Sequence, residues 1–287
     1  MATLKERLET LDKLPSLPLA TLKLIRILGH GETAEYEEVE EIIQTDPALT
    51  SAILKTANSA LFAPKSGKVA TIGDALRNLG LRKIQEIAIA HQASPVLGKA
   101  VEGYGLLGGQ LWQGALAGAL ASQVVAAQTK HCPPGEAFVG GLLRDIGKLV
   151  MQALFGDQLM ASNLNTGEGD WNQCELEHRE FGFDHCEIGS ELALLWKLPE
   201  SLIRAIRFHH NPPDDPEQGG PLVDVVHIGD MIALAMGCGT GVDGLHYEAS
   251  PECMERIGFK RNDFENAMIE TKLRLDAFIG NKTDTQD

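Results

Sequence analysis

Apolar residues recur every three or four positions along most of the chain, and no stretch alternates every two, so the pattern predicts helices and no strand. Leu22, Ile25 and Leu28 set that spacing between Leu19 and Leu28, and Gly29-His30-Gly31 stops it. A short amphipathic helix is predicted over residues 3–12, ended by Leu14-Pro15-Ser16-Leu17-Pro18 because each proline removes a donor. Val39, Ile42 and Ile43 face inward in the acidic stretch that follows. Asp46-Pro47 starts the next helix, with a carboxylate cap and then proline at the first helical position. Leu49, Ile53, Leu54 and Ala57 form its inner face, and Asn58-Ser59-Ala60 ends it. Thr71-Ile72-Gly73-Asp74 has capping-box spacing. Ile72, Ala75, Leu76 and Leu79 make the buried stripe, with Gly80 as the terminal cap and a further helix from Leu81 to Ala93.

Leu106 to Thr129 is nearly uncharged and rich in glycine and alanine. A helix that is apolar all round is buried, and small residues let neighbouring backbones approach. His131-Cys132-Pro133-Pro134-Gly135 breaks it, and Glu136 to Arg144 is the next segment. Residues 163–175 are polar and read as a loop. Asp184 to Trp196, Pro199 to His210 and Leu222 to Met236 read as helices. The proline- and glycine-rich stretch 211–221 is a loop. The remainder is helical to about residue 279, before a frayed end.

Composition narrows the class. Lys+Arg 25 against Asp+Glu 40 gives a net charge of −15. Nucleic-acid backbones and anionic membranes are therefore unfavourable partners, since both need clustered basic residues. No apolar run is long enough to span a bilayer. Five scattered cysteines without a C-x-x-C pair read as reduced thiols, which fits a cytoplasmic protein.

Candidate chemistry begins at Gly141-Leu142-Leu143-Arg144-Asp145-Ile146-Gly147-Lys148, where an apolar run halts at a charged pair and resumes. A buried ionised carboxylate is costly unless it is paired or bound to metal, so Asp145 needs a cationic partner. His185, His209, His210 and Asp230 lie in similar apolar helical surroundings. Ordinary roles stand beside these. His209 and His210 fit a helix C-terminus, His185 a first-turn surface position, and Asp230 a satisfied core carboxylate. Lys148 is either a phosphate contact or a solvated lysine. Trp112 and Trp196 read as core, and a thiolate-ligand role for Cys186 is discounted.

In order, Leu14 to Pro18, Asp46-Pro47-Ala48-Leu49-Thr50 through Ala60, Ile72 to Gly80, Gly140 to Lys148, His185 to Gly189, Trp196-Lys197-Leu198-Pro199 and His209-His210-Asn211-Pro212 resemble the HDOD family. This is a branch of the HD-domain superfamily, and the likeness covers roughly residues 12–236. It implies an all-α, multi-helix HD-like bundle with an N-terminal helical subdomain. The implied division is an N-terminal half over 1–100, an HD-like half over 101–236, and a C-terminal extension over 237–287. Enzymes of the superfamily are metal-dependent phosphohydrolases that use a histidine, a His-Asp pair and a later aspartate. Gln113 best matches the first histidine and Arg144 the histidine of the pair. Asp145, His185, His209, His210 and Asp230 match the remaining metal positions.

Gln113 is a poor metal ligand, and Arg144 stays protonated and repels a dication. Its guanidinium is expected to face Asp145 in the ion's stead, leaving Gln113, Arg144 and Lys148 as a vestigial pocket. No cofactor is expected. The alternative is one divalent metal on Asp145, His185, His209 and His210. The resemblance implies a non-catalytic regulatory module that contacts unidentified bacterial signalling proteins, with self-association open. Two alternatives are a phosphohydrolase of nucleotides or cyclic dinucleotides and a nucleotide sensor. The residues after His210 lack the Gly-Tyr-Pro signature of related cyclic-dinucleotide phosphodiesterases.

Overall fold

The computed structural model describes Leu8 and residues 14–29, 36–65, 67–165, 172–217, 220–242, 247 and 249–279. Among these residues the only extended pairing is the isolated bridge Val101–Leu106. The fold is all-α, as the spacing of apolar residues requires. The expected helix over 3–12 lies outside the described residues except for Leu8, which is buried.

The N-terminal helices are α1 (Leu19–Gly29), α2 (Tyr36–Thr45), α3 (Pro47–Ala57), α4 (Ile72–Leu79) and α5 (Leu81–Leu97). Asp46 caps α3 by accepting from the Ala48 and Leu49 amides at 2.9 and 3.1 Å. Only half of the expected box at α4 forms. Thr71 accepts from the Asp74 amide at 3.1 Å, but the Asp74 carboxylate takes the Thr71 hydroxyl and Arg77. Of the predicted stripe on α4 only Ala75 is fully buried. Helix α5 runs four residues past the predicted end and carries Pro95 inside it.

The central element is α6 (Gln110–Thr129), buried from Gly114 to Ala126. It starts later than its composition suggests, because Gly109 adopts φ 87° and sets the boundary. Packed on it are α7 (Pro134–Leu143) and α12 (Pro221–Ala235), whose small residues admit the close approach. The turn 144–146 leads into α8 (Gly147–Asn165), then α9 (Gln173–Phe181), α10 (His185–Leu195) and α11 (Glu200–Phe208). Of the loop expected over 163–175, residues 163–165 belong to α8 and 173–175 to α9, and residues 166–171 lie outside the described residues. The chain closes with α13 (Pro251–Arg256) and α14 (Arg261–Ile279), the latter lying against α6, α12 and α3. Among the described residues no helix is long and apolar enough to cross a membrane.

Candidate metal centre

The turn from α7 to α8 places three charged side chains inside the protein. Arg144, Asp145 and Lys148 are 1%, 6% and 5% exposed. Gly147 makes this turn possible, since any Cβ there would overlap the backbone carbonyl of His185. The chain thus brings the Asp145 turn directly against the start of α10.

Arg144 is the largest of the fully buried side chains. Its Nε donates to Asp230 Oδ1 at 2.6 Å and lies 3.3 Å from Asp145 Oδ2. Nη1 donates to the Gly141 carbonyl at 2.7 Å, and both terminal nitrogens reach the Gly114 carbonyl at 3.3 Å. Burial disfavours its charge, but Asp230 and then Asp145 outweigh burial and raise its pKa. The expected Arg144–Asp145 contact is present, yet the shorter bond goes to Asp230. Lys148 is neither solvated nor free. Its Nζ sits 3.0 Å from Asp145 Oδ1 and 5.5 Å from the centre of the Tyr104 ring. Burial opposes ionisation of Asp145, but Lys148 and then Arg144 hold its pKa well below the usual carboxylate value.

Three imidazoles complete the cluster. His185 and His209 are fully buried, so the surface reading of His185 is incorrect. His185 Nε2 lies 3.6 Å and His209 Nε2 3.9 Å from Asp145 Oδ1. His210 Nδ1 is 3.6 Å from Asp230 Oδ2. Single nitrogens from the three rings and one Asp145 oxygen all lie within 4.8 Å of one another. His209 donates from Nδ1 to the Ile206 carbonyl at 2.9 Å, which leaves Nε2 as the lone-pair nitrogen. Burial lowers the His209 pKa to about 4, and burial followed by His209 lowers that of His210 well below its usual value.

Several participants escaped the sequence reading. Glu177 on α9 is fully buried and accepts from the His185 amide at 2.7 Å, with His185 Nδ1 at 2.8 Å. Burial works against charge on His185, but Glu177 outweighs it and raises the imidazole pKa well above its usual value. Two complete capping boxes, Asn172/Glu175 and Asp184/Glu187, set the starts of α9 and α10 and aim Glu177 and His185 at each other. His227 donates from Nδ1 to the His209 carbonyl at 2.7 Å and accepts the Ser250 amide at Nε2 at 2.9 Å. It is a strut for the histidine pair. Tyr247 stacks on His210 with centroids 3.9 Å apart and planes 5° apart.

Gln113 does not join this group. It is exposed and lines a separate recess with Met236, Cys238 and Met268. The next residue, Gly114, supplies the inward-facing carbonyl on Arg144. Gln113, matched to the first histidine by resemblance, therefore lies outside the cluster.

The donor set fits one ion. Buried His185 Nε2, His209 Nε2 and both His210 ring nitrogens have no hydrogen-bond partner, and Asp145 Oδ1 accepts no aligned hydrogen bond. Three imidazoles and a carboxylate suit a divalent transition metal. A second ion beside Asp230 does not fit, because the Arg144 guanidinium occupies that side. Without any ion, Asp145, Asp230 and Glu177 face Arg144, Lys148 and the raised-pKa His185, so charges of opposite sign already meet inside the pocket.

A helical bundle with this His-Asp cluster at its centre defines an HD-like domain. The HDOD domain pattern matches residues 14–212, and the chain belongs to the HDOD domain family. An uncharacterized protein of Treponema pallidum is 29% identical over 224 residues, 78% of this chain and 42% of that protein. The chain thus spans less than half of that relative's length. An HDOD domain protein of unknown function from Geobacter sulfurreducens has a similar fold, with TM-score 0.75 and 23% identity over 96% of this chain and 95% of that one. A Shewanella amazonensis protein with a provisional phosphohydrolase name aligns with TM-score 0.65 and 22% identity over 95% and 97% of the two chains.

Proposed function

We propose that this chain is a regulatory module that acts through protein contacts in bacterial signal transduction and does not hydrolyse phosphoesters. The observation that carries this reading is the buried Arg144 guanidinium clasped between Asp230 and Asp145. At the position where HD enzymes carry a metal-binding histidine, this chain carries a fixed cation. Asp145, His185, His209 and His210 would hold any single ion that binds. Such an ion supplies Lewis acidity and acidifies a bound water. The surroundings do not support turnover: Asp145 is ion-paired with Lys148, His185 and His209 are fully buried, and Tyr247 stacks on His210. A catalytic metal needs an open position that a substrate can reach.

The acidic surface and the 211–221 loop remain the candidate contact regions for a partner, and a homo-oligomer is compatible with them. Phosphate release from nucleoside phosphates and cyclic dinucleotides, assayed with manganese, iron or zinc, tests the reading. Release no faster than with metal alone is expected. Turnover that disappears in Asp145→Ala would overturn it.

A further inference from the structure

Beside the His-Asp cluster lies a second set of ligand atoms, two of them from cysteines that the HD pattern does not include. Cys174, at the start of α9, and Cys186, at the start of α10, bring their sulfurs to 3.8 Å. Cys174 Sγ is also 3.9 Å from His185 Nδ1, the nitrogen that Glu177 holds at 2.8 Å, so ligation through it requires release from Glu177. One atom each from Cys174, His185, Cys186 and His210 lies within 4.8 Å of the other three. His210 supports a ligand role independently. Its side chain is 8% exposed, and neither ring nitrogen has a hydrogen-bond partner.

We infer that Cys174, Cys186, His210 and His185 form a site for a thiophilic cation of the zinc class. Two sulfurs bound tetrahedrally at about 2.3 Å from zinc stand about 3.8 Å apart, which is the separation found here. Two thiolates neutralise a dication, and imidazoles complete a soft, four-coordinate set. The set competes with the Asp145 cluster, because His185 and His210 belong to both. Oxygen-preferring ions such as manganese are drawn to the Asp145 side, and thiophilic ions to the cysteine side. Cys174 is partly buried and Cys186 is buried. The inference does not depend on whether the chain hydrolyses anything.

Cobalt(II) titration of the reduced, metal-free full chain tests it. Thiolate-to-cobalt charge transfer in the near ultraviolet, with intense tetrahedral bands in the visible, is expected. Both should vanish in Cys174→Ser and in Cys186→Ser and persist in Asp145→Asn. A second measurement needs no variant. Zinc should slow alkylation of Cys174 by more than an order of magnitude, read by peptide mass spectrometry, and leave Cys132 unaffected. Absent charge transfer, charge transfer that survives loss of either cysteine, or unchanged alkylation of Cys174 would each overturn the site. Phosphate release is a separate readout, so the failure of this site and of the regulatory reading are distinguishable.

Discussion

Arg144 Nε lies 2.6 Å from Asp230 Oδ1, joining the α7–α8 turn to α12 across the middle of the bundle. Both side chains are almost wholly removed from water. Removing one partner therefore strands the other charge. Arg144→Met is expected to lower the unfolding free energy by about 3–5 kcal/mol. The double variant Arg144→Met/Asp230→Leu should recover a large part of that loss, because a buried ion pair replaced by apolar residues of similar size is often near neutral. Urea unfolding of the single and double variants checks both statements. A double variant no more stable than Arg144→Met would contradict the stranding of Asp230 as the source of the loss.

Glu177 orients His185 from behind. Its carboxylate accepts from the His185 amide and contacts the ring at Nδ1, so the other ring nitrogen faces the cluster. A buried hydrogen bond to a charged group contributes roughly 1.5–3 kcal/mol, and Glu177→Gln should cost about that much stability. Loss of an outer carboxylate typically weakens a metal site by about 10–100-fold, so the same variant should bind manganese more weakly by that factor. Isothermal titration calorimetry of the two proteins, each checked by circular dichroism, measures it. Unchanged affinity would mean that His185 takes no part in binding the ion.

Much of this site is legible in the sequence because Asp145, His185, His209, His210 and Asp230 lie within or at the ends of apolar helical segments and match the family pattern. A polar group in such a place has few destinations other than a buried cluster. Glu177 and Cys174 could not be found that way. Helix α9 reads Gln-Cys-Glu-Leu-Glu-His-Arg-Glu-Phe, so an inward glutamate looks like any outward one. Its inward direction depends on two capping boxes and on docking against α10. Gln113 illustrates another limit. Helix α6 is apolar around most of its circumference and has no polar stripe to set its phase. With no stripe to fix which positions face the cluster, the match of Gln113 to the pocket rests on the resemblance alone. The bundle itself was legible because its spacing of apolar residues, its prolines and Asp46 all agree on the same elements.

The loop after His210 is tied down, and its tether depends on pH. Asp215 accepts from Arg204 Nε at 3.0 Å, Arg204 Nη2 at 2.6 Å and the Gly220 amide at 2.9 Å. Burial alone would raise its pKa, but the Arg204 hydrogen bonds outweigh burial and lower it. The folded pKa is thus below the unfolded one. The stabilisation is fully present above the unfolded carboxylate value and is lost as pH falls through the folded one. Asp215→Asn should cost about 2 kcal/mol at neutral pH, within the range for charged hydrogen bonds. Its melting temperature should converge on that of the parent as the pH is lowered through the carboxylate range. A constant gap at every pH would show that the Asp215 charge does not supply the tether.

Two glycines at the site should respond differently to an added methyl group. A Cβ on Gly118 would overlap the Arg144 guanidinium, whereas a Cβ on Gly147 would overlap the His185 carbonyl and crowd the Gly189 amide. The first obstacle is a side chain and the second is backbone. Overpacking costs about 1–3 kcal/mol where neighbours can shift, so Gly118→Ala should fall in that range. Arg144 yields only by straining its bonds to Asp230 and two carbonyls, which puts the cost toward the upper end of that range. Once Arg144 is methionine the clash is relieved, and Gly118→Ala should then add little further loss. Gly147→Ala should cost more than Gly118→Ala and should show no such rescue, since its obstacle stays when Arg144 is changed. Thermal melts of the two glycine variants, Arg144→Met and the two double variants decide it. Equal losses for both glycines, or rescue of Gly147→Ala by Arg144→Met, would contradict the packing described for the turn between α7 and α8.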